Sequence, residues 1–148
     1  MSTSTVEAPT ADDVPRIVGD LSRTSADVRG VVVFGRDGVL RVFAPPLSLQ
    51  EAERWSALLN QIASLARGAG RLLARGGLDS TLLRVSARQA ALLQPVNDAF
   101  DIGVVVEVEG GAHLAQIAHS TATAAARLSS VLPGRVSRSI GAPVQAAA

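Results

Sequence analysis

The chain has 148 residues, 47% hydrophobic but only 3% aromatic, which suits one globular domain with an aliphatic core and excludes a ring-lined platform for single-stranded nucleic acid. Its formal net charge of +1 sets 14 arginines against 13 acids, so no strong field draws it toward nucleic acid or an anionic membrane. Lysine and cysteine are both absent, which excludes a Walker A phosphate loop, a disulfide framework, a thiolate nucleophile and a cysteine-ligated metal.

Residues 1–11 are Ser, Thr, Ala and Pro with little to bury, and are expected to be disordered. They lack the basic and apolar regions of a signal peptide, and no apolar run is long enough to span a bilayer, so a soluble cytoplasmic protein is expected. A first helix is predicted from about Asp13 to Arg23, capped by Asp12 or Asp13, with Pro15 in its first turn and Val14, Ile17, Val18 and Leu21 on one face. Two β-branched runs then flank Arg36-Asp37-Gly38, the turn chemistry of a hairpin, and Pro45-Pro46 ends the second strand.

A long helix follows. Ser48 and Glu51 form a capping box, and Leu47 and Ala52 are placed for the hydrophobic staple. Trp55, Leu58, Leu59, Ile62, Leu65, Ala66, Ala69, Leu72 and Leu73 keep helical spacing to about Ala74, where Gly76-Gly77 stops the helix. Three strands are predicted next, Ser80–Ser86, Ala91–Val96 and Asp101–Glu109. In the last, Ile102, Val104, Val106 and Val108 share one face, while Pro95 is an awkward donor-less residue in the middle strand. Gly110-Gly111 turns into a final helix, Ala112–Val131, with the stripe Leu114, Ile117, Thr121, Ala124, Leu128 and Val131. The folded unit thus spans 12–132, and residues 133–148 are expected to be a disordered tail.

No catalytic set emerges. His113 and His119 are six apart, on different sides of a helix, and cannot share a metal; His119 falls with Gln116, Thr123 and Arg127 on a polar face. Gly68-Ala69-Gly70 is followed at the third glycine position of a dinucleotide fingerprint by Leu73. No cofactor, metal or nucleic acid is expected, and the chain is expected not to be an enzyme.

Arg67, Arg71 and Arg75 lie four apart on a helix face with Glu53, Asn60 and Ser64. They form either a solvated polar face or a complement to an acidic partner. The apolar arc of the same helix covers more than about 150°, where covering a sheet needs roughly 100°. One edge of the surplus is small: Ala52, Ser56, Ala63, Ala66 and Gly70. A partner copy of the helix is the favoured occupant, and a contact inside the monomer is the alternative.

Element order and patterning, together with Ser64–Arg71 (SLARGAGR), resemble the Roadblock/dynein-light-chain family, including its MglB-like bacterial members, over residues 12–132. That resemblance implies an α/β (α+β) three-layer sandwich with a five-stranded antiparallel sheet in the order 2-1-5-4-3. It implies a homodimer with antiparallel long helices and paired third strands, so that Ala52, Trp55, Ser56, Leu59, Ala63, Ala66, Gly70, Thr81, Leu83 and Val85 form the interface. It further implies a small Ras-like GTPase as partner, activated or anchored by a face that includes Glu53, Asn60, Arg67 and Arg71. Pro95 and the stretch Ala112-His113-Leu114-Ala115 depart from the family pattern. The rival functions are a structural adaptor without effect on GTP turnover and a ligand sensor of PAS or GAF type.

Overall fold

The computed structural model describes residues 10–73, 79–107, 113–134 and 143–146. The expected disorder of residues 1–9, the Gly76-Gly77 and Gly110-Gly111 stops, Arg75, Val108 and most of the tail lie outside them.

A short 3-10 turn, Ala11–Asp13, leads into α1, Val14–Ser22, whose Val14, Ile17, Val18 and Leu21 are buried as their spacing requires. Asp13 does not cap the helix through its side chain. Its carboxylate turns back to accept the Thr10 N–H at 2.8 Å and to pair with Arg16 at 2.8 Å. The hairpin of β1, Val28–Gly35, and β2, Leu40–Ala44, closes on Arg36-Asp37-Gly38. Gly38 takes φ +84°, a conformation that a side chain would strain. α2, Leu49–Leu73, begins with the expected capping box: the Ser48 hydroxyl accepts the Glu51 N–H, and the Glu51 carboxylate accepts the Ser48 N–H, both at 3.2 Å. The Ser48 backbone bond holds the Glu51 carboxyl below its ordinary range.

The remaining elements are β3, Thr81–Arg84, β4, Gln89–Pro95, β5, Phe100–Glu107, α3, Leu114–Ser129, and β6, Val144–Gln145. Pro95 is accommodated at the end of β4, beyond Leu93, where the β3 ladder stops. The sheet runs β3-β4-β5-β1-β2-β6. It contains the anticipated order 2-1-5-4-3 and adds one strand, because Val144 and Gln145 pair in parallel with Val42 and Phe43. A disordered tail from 133 onward is therefore corrected at 143–146. A two-residue strand has no periodicity by which the sequence could reveal it.

α2 covers one face of the sheet, over β1, β2 and β5, while α1 and α3 pack together on the other. Two aliphatic cores result. Val31, Val33, Val42, Ile102, Val104 and Val106 meet α1 and α3, while Val32, Phe34, Phe43, Ala91 and Leu93 meet α2. On the α2 side, Gly103 makes room for Leu59: a Cβ there would lie 2.5 Å from Leu59 Cδ1 and 3.3 Å from Val32 Cγ2. Leu59 is wholly buried and has little freedom to retreat. Gly103→Ala is expected to lower stability by about 1–3 kcal/mol through overpacking, read as a fall in the urea midpoint at unchanged m-value.

Candidate functional site

α2 carries two seams, each with alternating steps of three and four residues. One holds small side chains around a single leucine: Ala52, Ser56, Leu59, Ala63, Ala66 and Gly70. The other holds Trp55, Leu58, Ile62, Leu65, Ala69 and Leu72. Steps of this kind keep one line of a helix facing one neighbour. The structure turns the small seam onto the sheet. Ala52, Ser56, Leu59, Ala63 and Gly70 are all buried within the single chain.

This corrects the sequence reading, which gave that edge to a second copy. Small residues do permit close approach, but what approaches is the sheet, whose valines and phenylalanines already fill the intervening space. Ser56 Oγ is buried there without a hydrogen-bond partner, admitted by its size.

The large seam is what one chain leaves uncovered. Leu65 is 76% exposed and Leu72 88% exposed, Leu58 about half, and Trp55 and Ile62 are half-buried at the edge of the α2-side core. The surface continues onto the sheet. Thr81 and Leu83 are half-buried and Val85 is exposed, so these three expected interface residues keep accessible surface, as do Trp55 and Ala66. Between the α2 N-terminus and the strands lies an open cleft of about 400 Å³, floored by Leu47, Trp55, Val85 and Val105. Glu51, Gln89 and the Arg29–Glu107 ion pair, at 3.5 Å, stand at its rim. Among the described residues, two helices cover the opposite face of the sheet and one helix covers this one.

The four residues expected to meet a partner do not stay together. Glu53 and Arg71 are exposed. Asn60 is half-buried, its Nδ2 donating to the Arg36 carbonyl at 3.4 Å beside the hairpin turn. Arg67 is withdrawn from the surface: its Nη1 donates to Asp101 Oδ2 at 2.9 Å, with the carboxylate almost fully buried. This corrects its assignment to a partner face, and its alternative as a solvated residue, because the pair ties α2 to the start of β5. Burial pushes the Asp101 carboxyl above its ordinary range, against the opposing bond from Arg67. An acid just ahead of the run Ile102–Val106, which carries no polar side chain, was the available signal for this pair. Both histidines, His113 and His119, are exposed.

A family model described as the Roadblock/LC7 domain matches residues 17–106. The chain is similar in structure to a Roadblock/LC7 domain from Streptomyces avermitilis, at TM-score 0.67 and 17% identity, over 75% of this chain and 90% of that one. It is similar to Myxococcus xanthus MglB at TM-score 0.69 and 12% identity, over 82% and 95% of the two chains. A third similarity is to the gliding protein MglB of Thermus thermophilus, at TM-score 0.67 and 13% identity, over 80% and 87%. No curated protein matches. Identities this low speak to the fold alone.

Removing Arg67 strands the buried Asp101 charge. Arg67→Ala is expected to cost about 3–5 kcal/mol at neutral pH. The raised Asp101 pKa means that this group favours the fold when protonated and works against it once pH rises through its titration. The Arg67→Ala deficit should therefore shrink toward pH 4, and Asp101→Asn should abolish that pH dependence; urea melts across this range measure both.

Proposed function

The chain belongs to the Roadblock/LC7 domain family, and on that premise we propose that it is a non-catalytic homodimeric regulator or anchor of a small Ras-like GTPase. The family supports a regulatory or adaptor role, and the likeness to MglB, a Roadblock-family GTPase regulator, favours a GTPase as the partner. One observation carries the dimer: the seam of Leu58, Leu65 and Leu72 lies bare on the face of the sheet that has a single covering helix. Isolated apolar residues on a surface need no explanation, but a continuous seam flanked by an open cleft does.

A second copy of α2 laid antiparallel beside the first would cover both seams by the same contacts in each direction, as a two-fold interface requires. It would complete the layer that now has one helix. Thr81 and Leu83 of β3, with Val85 just beyond its end, lie at the free edge on the same side, placed to extend the contact. The interface set is accordingly Trp55, Leu58, Ile62, Leu65 and Leu72 with Thr81, Leu83 and Val85. Ala52, Ser56, Leu59 and Ala63 belong to the monomer core.

Glu53 and Arg71 sit about 150° around the helix from the middle of the large seam, at about 100° per residue. They remain available to a GTPase when the seam is closed. With no lysine in the chain, GTP chemistry would stay with the partner's own residues, and this protein would act by binding and orienting them.

Light scattering is expected to give a dimer for the wild type and a folded monomer for Leu65→Asp. Leu59→Asp should instead lose its fold, since that side chain is core. Phosphate release by a Ras-like GTPase from the same genome should respond to the wild type and not to Leu65→Asp, while Arg71→Glu should keep the dimer and weaken the response. A wild type that stays monomeric at tens of micromolar, or a Leu65→Asp variant that remains dimeric, would sink this reading.

A further inference from the structure

Trp55 belongs to two features at once. It opens the large seam of α2, and with Leu47, Val85 and Val105 it floors the open cleft of about 400 Å³. At the far end of the seam stands Leu72, its barest leucine at 88% exposed. The two residues are about 26 Å apart along α2 at 1.5 Å per residue, so one chain cannot bring them together. The seam between them steps by three and four residues in turn, a seven-residue repeat. When two such helices pack antiparallel about a two-fold axis, residues that open a three-residue step (Trp55, Ile62, Ala69) face residues that close one (Leu58, Leu65, Leu72). Registers that obey this rule differ by one heptad. One of them sets Trp55 against Leu72, Leu58 against Ala69 and Ile62 against Leu65, and it covers the whole seam. A shift one way leaves Trp55 and Leu58 bare, and a shift the other way leaves Ala69 and Leu72 bare. The full register also puts Ala69, the smallest seam residue, opposite Leu58. It carries Leu72 to the point where the flank of the helix opens into the cleft, whose floor is apolar and whose volume exceeds that of a leucine side chain.

We propose that this cleft is a socket for Leu72 of the partner subunit, so that each protomer completes the cleft of the other and the two sockets fix the register of the helix pair. The inference rests on the dimer proposed above and adds to it which residues meet. Trp55 meets the partner's Leu72 at both ends of the pair, Leu58 meets the partner's Ala69, and Ile62 meets the partner's Leu65 on either side of the axis. The polar rim of Glu51, Gln89 and the Arg29–Glu107 ion pair remains at the water boundary, so the apolar floor is what the contact closes off. A pair shifted by one heptad leaves either the clefts or the Leu72 ends uncovered.

The chain has no cysteine and a single tryptophan, which gives two specific readouts. Single-cysteine variants of the full chain are mixed in pairs, left to exchange subunits and gently oxidised, and the disulfide-linked heterodimer is followed by intact mass. Leu58→Cys with Ala69→Cys should cross-link about tenfold or more faster than the pairs that the shifted registers bring together, since a one-heptad offset exceeds the reach of a disulfide. Those control pairs are Leu58→Cys with Ile62→Cys and Leu65→Cys with Ala69→Cys. In the second readout, Leu72→Ala should shift Trp55 emission to the red and raise its quenching by acrylamide while light scattering still gives a dimer. Leu73→Ala, equally exposed in the single chain but outside the seam, should leave the emission in place. A monomeric wild type would remove the dimer and the socket together. A dimer in which Leu72→Ala does not move Trp55 emission, or in which a control pair cross-links fastest, would overturn the socket alone. Should Leu72→Ala dissociate the dimer, the cross-linking decides.

Discussion

The contact between Leu59 and the bare backbone of Gly103 sets how closely α2 can lie on the sheet, and much of the molecule follows from that spacing. A helix this close needs small residues along its line of contact, and Ala52, Ser56 and Ala63 supply them. One leucine then fills the gap that a glycine in β5 opens. Because the small seam is committed to the sheet, the leucines one step around the helix cannot also be buried by the same chain. Close packing inside the monomer and bare apolar surface outside it have one cause.

The same helix is fixed at its other end by chemistry of a different kind. Arg67 meets Asp101 where α2 passes the start of β5, and a buried charge pair of this sort favours one geometry more than it adds stability. The capping box fixes the first turn, Leu59 the middle and Arg67 the far part of α2. A helix held at three points presents its outward seam as a rigid surface. In the proposed dimer, little ordering would then remain to oppose association.

The two edges of the sheet are managed in different ways. β3 is short; its Thr81 and Leu83 are half-buried, and Val85 just beyond it shares the open cleft with Trp55 of α2. β2 carries a two-residue strand from the C-terminal segment, Val144–Gln145, in parallel pairing. Among the described residues β3 is an open edge and β2 is covered by that short strand, and the width of the sheet separates the two.

Much of this was legible in the sequence because it depends on local chemistry and period. The Ser48–Glu51 capping box, the Asp-Gly turn, the stop at Pro45-Pro46 and the stripe of Ile17, Val18 and Leu21 are each set by residues within a turn or two of one another. Those signals, with the order of the elements, were enough to indicate the family. They also showed that α2 has more apolar surface than a sheet needs. What the sequence could not decide was which part of that surface the sheet would take, because two seams of equal period run along one helix. Only the opposing side chains choose between them, and Gly103, Val32 and Leu93 come from strands distant in the chain. The fates of Arg67 and of Val144–Ala146 were hidden for the same reason: an ion pair to Asp101 and a ladder to β2 join residues whose separation along the chain leaves no periodic trace. Local preference fixes which elements form and where they stop; which faces remain for other molecules is settled by long-range packing.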